Sequence, residues 1–167
     1  ALKRMVHFAL KYGYLDVVPE TRIVDLGCGL GDQVYLLEKE KVACRMVVGC
    51  DIDLTVIKLG KPHFHLSRMI NSDACVIPFR DQSLSICILS NIIEHVRDPL
   101  ELLREVNRVL EPGGVLLLDF PRGNHPGELL FRWGGRMMNG RSSHIQSLRL
   151  NMVRQMLSSA GLAVRSM

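Results

Sequence analysis

The chain has 167 residues, 47% of them hydrophobic and 23% charged, which excludes a disordered or fibrous protein and leaves room for one core rather than two domains. No apolar run approaches the roughly 18 residues of a membrane span, and the opening ALKRMVHFALKYGY lacks a signal peptide's apolar region and cleavage site, so a cytoplasmic protein is expected. The net charge of +4 is uneven: residues 1–120 sum to −2, whereas 121–167 hold seven arginines against the single acid Glu128, a balance that suits either an anionic partner or a solvated face.

Apolar spacing over 2–12 predicts an amphipathic helix, with Leu2, Met5, Val6, Ala9 and Leu10 on one side. A strand follows at Arg22–Leu26 and a helix at about 33–41. Met46–Asp51 is a second strand, apolar and β-branched. A short helix begins near Leu54 and is expected to stop at the Gly60-Lys61-Pro62 terminator. A brief third strand falls near 69–72, and SICILS, Ser85–Ser90, reads as a fully buried fourth. Asp98-Pro99-Leu100-Glu101 is a strong helix start, with Asp as N-cap and Pro at the first helical position. That helix ends at Glu111-Pro112-Gly113-Gly114 and turns into a strand over Val115–Phe120. A last helix is expected over about 151–160, with Gly161 after it, and LAVRS at 162–166 reads as a strand.

Alternating strands and helices with continuous apolar strands predict an α/β fold, a doubly wound and mainly parallel sheet covered on both faces. Residues 1–167 are expected to form one domain. The five cysteines, at 28, 44, 50, 75 and 87, are odd in number and contain no C-x-x-C pair. They read as buried small side chains rather than as disulfides or zinc ligands. One long irregular segment, 121–147, is rich in glycine and arginine, and a loop of that length is usually functional or mobile.

The chemistry starts at VDLGCGLGD, residues 24–32. Ligands of open α/β sheets bind beyond the C-terminal ends of the strands. Gly27 and Gly29 let the backbone bend and let a ligand touch it, and Gly31 opens a helix whose amides can donate to an anion. A dinucleotide fingerprint would need glycine at position 32, which is Asp32, the wrong sign beside a pyrophosphate. A buried acid at Asp25 instead suits a ligand with a positive group, such as an α-amino group. The second strand ends GCDID, and a carboxylate at its tip, Asp51, can accept from both ribose hydroxyls; the plainer reading is a turn-forming Asp. Asp53 reads as a helix cap. In Ser72-Asp73-Ala74 an acid could accept from an adenine amino group.

Together these stretches resemble the class I S-adenosylmethionine-dependent methyltransferases, specifically their type 11 branch. VDLGCGLGD, VVGCDID, NSDACVIPFRDQSL, LSNIIEHVRDP, LREVNRVLEPGGVLLLDFP and VRQMLSSAGLAV carry the resemblance, in that order, over most of the chain from about residue 20. The resemblance implies a Rossmann-like sheet of order 3-2-1-4-5-7-6, with the final antiparallel strand missing from this chain. It implies S-adenosyl-L-methionine as cofactor. Gly27, Cys28, Gly29 and Gly31 would line its methionine part, with Asp25 near the amino group. Asp51 would hold the ribose, with Ile52 beside it. Ser72, Asp73 and Ala74 would face the adenine, and Ser90 and Asn91 would lie beside the sulfonium. Residues 1–14 would form a lid helix closing through Tyr12 or Tyr14, and 121–147 a substrate-side loop.

A base is needed only where the methyl acceptor must lose a proton. His95, just past the fourth strand, is the candidate, set against a structural role; His125 and His144 are weaker. N-I-I-E-H resembles the E-x-x-E-H arrangement that binds magnesium in some relatives, but Asn91 replaces its first acid, so no metal is predicted. The absence of N-P-P-Y argues against amino-group transfer to nucleobases or glutamine. The leading expectation is therefore a methyltransferase acting on a small-molecule acceptor, for which the basic C-terminal third suits an anionic one. The competing readings are an RNA methyltransferase using the basic C-terminal third, with only Phe131 and Trp133 for stacking, and a non-catalytic cofactor-binding subunit.

Overall fold

In a computed structural model the described residues are 17–39, 42–64, 68–121 and 148–165. The elements are β1 (Arg22–Leu26), α1 (Asp32–Lys39), β2 (Met46–Asp51), α2 (Leu54–Phe64), β3 (Met69–Asn71), β4 (Leu84–Ser90), α3 (Pro99–Val109), β5 (Leu110–Asp119) and α4 (Leu150–Ser159). The strands form one sheet in the order β3-β2-β1-β4-β5, and every pairing is parallel. The doubly wound, Rossmann-like arrangement expected from the sequence is present. The expected lid helix and the loop 121–147 lie outside the described residues, apart from Pro121 at the loop's start.

Strand periodicity divides the core in two. Val24, Leu26, Val48, Cys87 and Leu89 point to one face, where Leu102, Leu103, Val106 and Val109 of α3 and Val153 of α4 pack on them. Ile23, Val47, Ile86 and Ile88 point to the other, under Val34 and Leu37 of α1 and Ile57 of α2. Burial of this kind contributes roughly 1.5–3 kcal/mol for each large aliphatic side chain. By the same alternation Asp25, two residues beyond Ile23, belongs to the α1 side of the sheet.

The helix start at Asp98 forms as the sequence indicates: its carboxylate accepts from the amides of Leu100 at 2.9 Å and Glu101 at 3.1 Å, a cap typically worth about 1 kcal/mol. After α4, Gly161 has φ +82°, its amide donates to Ser158 and the Leu162 amide to Leu157. These two bonds close the helix with a left-handed residue, as expected.

Three expectations are corrected. Helix α2 does not stop at Gly60-Lys61-Pro62 but runs through to Phe64. Pro62 sits in the last turn, where the lost amide bond would have gone to Lys58, an exposed residue whose carbonyl water can serve. Strand β5 begins five residues before the expected Val115, because Leu110 already pairs with Leu84; a register irregularity between Leu84 and Ile86 absorbs the proline-glycine stretch. The expected sixth strand is absent over 162–165, which have no regular structure. A cavity of about 860 Å³ lies along β5 Val115–Phe120, bordered by Leu157 and by Leu162–Arg165.

Candidate functional site

The C-terminal ends of β1, β2 and β3 converge on one rim, and the sequence-derived candidates gather there. The turn after β1 is drawn onto β2: the amides of Gly27 and Cys28 both donate to the Cys50 carbonyl, at 2.7 and 3.0 Å, and the Gly31 amide donates to Cys28. This makes a crook of backbone between β1 and α1. The glycines serve different ends. At Gly29, with φ +55°, an added side chain would meet nothing within 4 Å, so that face of the crook is open. At Gly27 the corresponding space is filled by the side chain of Ile92, from the turn after β4. Cys28 turns inward under the crook, within 2.7 Å of where a Gly49 side chain would begin, and is 9% exposed. Burial, then the charges of Asp25 and Asp51, push its thiol well above the usual range. Cys28 can therefore offer a ligand backbone but not a reactive sulfur.

Asp51, the last residue of β2, ties the rim together. One carboxylate oxygen accepts from the Gly29 amide at 2.7 Å, and the other from the Asp53 amide at 2.8 Å. Each oxygen keeps a second lone-pair direction, so two hydroxyls of a ligand could still be met. Asp53 accepts in turn from Thr55 at the start of α2, in the capping role read from the sequence. Ile52 stands 70% exposed at the lip.

At the end of β3 the Ser72 amide donates to the Asp51 carbonyl at 3.0 Å. Asp73 is exposed, and its Oδ1 accepts from the Cys75 amide at 2.9 Å, so that oxygen stabilises its own turn. Ala74 packs on the core. Ser90 is buried at the tip of β4, and Asn91 follows it in the left-handed region at φ +53°, a conformation Asn tolerates better than most residues. The Asn91 amide donates to Asp119 and its side chain to the Ser90 hydroxyl. His95 lies in the next turn with its ring about one-third exposed and Nε2 3.7 Å from Oε1 of Glu94, which is almost completely buried.

Asp25 is 2% exposed. Burial, with the negative charges of Asp51 and Asp32 added, pushes its carboxyl up to about 7 from an ordinary 3.8. Between those values the folded protein holds a proton that the unfolded chain releases. Stability from this group is therefore complete below about pH 4 and lost as pH rises through 7. The full swing is on the order of 4 kcal/mol. Asp25→Asn is expected to melt higher than the parent at pH 8 and to flatten the fall in melting temperature between pH 4 and 7. Unchanged pH dependence in differential scanning fluorimetry would contradict that assignment.

Sequence reasoning passed over three residues on this rim and misread a fourth, Gly60. Asn71 donates from Nδ2 to the carbonyls of Asp51 and Ile52, both at 2.9 Å. Gly60 of α2 backs directly onto the Leu30 backbone. Ile92 fills the space beside Gly27, and Gln33 is buried in the first turn of α1. None has a motif that marks this role; each matters here only because the fold brings distant segments together.

Residues 24–118 match the family model described as "Methyltransferase domain". A demethylmenaquinone methyltransferase of Staphylococcus haemolyticus is 31% identical over 100 residues, 58% of this chain and 42% of that protein. The same name and figures apply to the Staphylococcus aureus relative, so the match spans less than half of these curated relatives. Among solved structures, a SAM-dependent methyltransferase from Archaeoglobus fulgidus aligns with TM-score 0.72 at 21% identity, covering 95% of this chain and 68% of that one. The YcgJ protein of Bacillus subtilis aligns with TM-score 0.73 at 23% identity, covering 93% and 67%.

Proposed function

We propose that this chain, which belongs to the methyltransferase-domain family, carries a methyl group from S-adenosyl-L-methionine to a small-molecule acceptor. The observation that carries the reading is the placement of the Asp51 carboxylate, held by the Gly29 and Asp53 amides beside an open backbone crook. When bound, the cofactor supplies a methyl carbon activated by a sulfonium. The residues present fit it. Asp51 would take the ribose hydroxyls, with Ile52 covering one side. Ser72, Asp73 and Ala74 would border the adenine. Asp25 would face the amino group, along the backbone of Gly27, Cys28, Gly29 and Gly31. Ser90 and Asn91 would border the reacting end.

The chain's own contribution is placement: the acceptor must be held about 3–3.5 Å from the methyl carbon, with water excluded. For an acceptor that must lose a proton, His95 is the base in this proposal. The small-molecule class is supported by the name of the curated relatives, which specifies a quinone-type acceptor for those proteins. A reducing, cytoplasmic setting is supported by five cysteines that are all free thiols. The described helices include none long and apolar enough to cross a membrane.

Titration calorimetry with S-adenosylmethionine, S-adenosylhomocysteine and NAD tests the reading. Binding of both sulfur nucleosides and not of NAD is expected. Binding of NAD alone would overturn it. A labelled-methyl screen against small molecules and RNA then separates the alternatives: methyl transfer to RNA would replace the acceptor class, and tight binding without turnover on any acceptor would indicate a non-catalytic subunit.

A further inference from the structure

The amino-acid end of the proposed cofactor carries two charges, and the acids at the crook serve only one of them. Asp25 interacts electrostatically with both Asp51 and Asp32. An ammonium or sulfonium is welcome among three carboxylates, but a carboxylate is not. It needs donors, and they must come from something other than this acidic group.

Gln33 is such a donor. It is 3% exposed, and its Nε2 is buried without a hydrogen-bond partner. Buried polar groups are almost always paired, so an orphaned amide nitrogen calls for an explanation. Its position supplies one. Gln33 is the second residue of α1, two beyond Gly31, at the helix end whose first amides have no carbonyl beneath them. It shares the buried face of α1 with Val34 and Leu37, which pack on the sheet face carrying Ile23, the face to which Asp25 belongs by alternation. Long helical side chains lean toward the helix N-terminus, which here means toward the crook. A leucine would fill the same place without leaving a donor unpaired.

We infer that Gln33 is a positioning residue that donates from Nε2 to the α-carboxylate of the bound cofactor. With Asp25 it forms a pair reading an α-amino acid, acceptor for the ammonium and donor for the carboxylate. The inference rests on the proposed cofactor reading and adds a residue and a role to it. Neutrality suits the place: an arginine would neutralise the field that Asp25 and Asp51 present to the sulfonium, whereas a carboxamide donates without doing so.

The test compares two ligands on the same protein. S-adenosylhomocysteine has the amino-acid end; 5′-methylthioadenosine has the adenosyl sulfur but no carboxylate. Gln33→Leu and Gln33→Met, each checked for folding by circular dichroism, are expected to weaken S-adenosylhomocysteine about tenfold, the worth of one such bond. Both should leave 5′-methylthioadenosine unchanged and the unliganded melting temperature equal or higher. Gln33→Glu should cost more, because carboxylate then faces carboxylate. Unchanged affinity for S-adenosylhomocysteine, or equal loss for both ligands, would overturn the role while leaving the site standing. Failure of the parent protein to bind either compound would overturn the cofactor reading itself.

Discussion

Replacing Asp51 by alanine is expected to weaken S-adenosylhomocysteine binding by about a hundredfold or more while leaving the sheet folded. The side chain is only half-buried at the sheet's end, so its removal leaves no cavity in either core cluster. What is lost is geometry. Its two oxygens hold the Gly29 amide on one side and the Asp53 amide on the other. Hydrogen bonds to a charged acceptor contribute about 1.5–3 kcal/mol each, and here they fix the crook and the β2–α2 turn in one arrangement. The proposed ribose contacts vanish with them; a hundredfold is about 2.7 kcal/mol. Asp51→Asn is the sharper variant. It keeps one acceptor oxygen but points an amide NH₂ at a backbone N–H, so its affinity should fall between parent and alanine.

The same substitution has an electrostatic signature. Asp51 is, after burial, the largest influence raising the Asp25 carboxyl. Without it that carboxyl should titrate lower, and the pH range over which stability falls should close from its upper end while its lower end stays near pH 4. Affinity within threefold of the parent, with no change in pH profile, would show that Asp51 does not organise the site.

Gly60→Ala is expected to lower the melting temperature by several degrees and to weaken ligand binding with it. Helix propensity alone predicts the opposite, since alanine is favoured over glycine inside a helix by about 1 kcal/mol. Tertiary contact reverses the sign. A methyl group at Gly60 would overlap the carbonyl oxygen, carbonyl carbon and Cα of Leu30. These are backbone atoms of the crook and cannot rotate aside as a side chain could. Overpacking of this kind costs about 1–3 kcal/mol, and the only relief is to move α2 away or to push Leu30 and its neighbour Gly29 toward the ligand. Leu59→Ala, at an exposed position one residue earlier, is the control and should change little. A Gly60→Ala protein that melts at or above the parent would show that the contact is slack.

The two substitutions differ in what a reader of the sequence could have foreseen. Asp51 was legible because the acid ending an apolar strand, 24 residues after the first glycine, is a pattern of residue types at fixed spacing. Gly60 was misread for a physical reason. Glycine followed by Lys-Pro is a good local stop signal, and nothing local reveals that a crook thirty residues away lies against that point of the helix. Ile92 beside Gly27, and Asn71 bracing the turn after β2, were hidden in the same way.

By itself the sequence determined the order and type of the elements from β1 to α4, the parallel sheet, the crook and the acids around it, because those follow from periodicity, capping chemistry and the few residues a tight turn admits. Only the tertiary structure decided which space beside each glycine is filled and which is open, that Asp25 is buried enough to hold its proton to about pH 7, and that residues 162–165 form no strand. Burial, long-range contact and strand pairing depend on segments far apart in the chain, and no short stretch of residues encodes them.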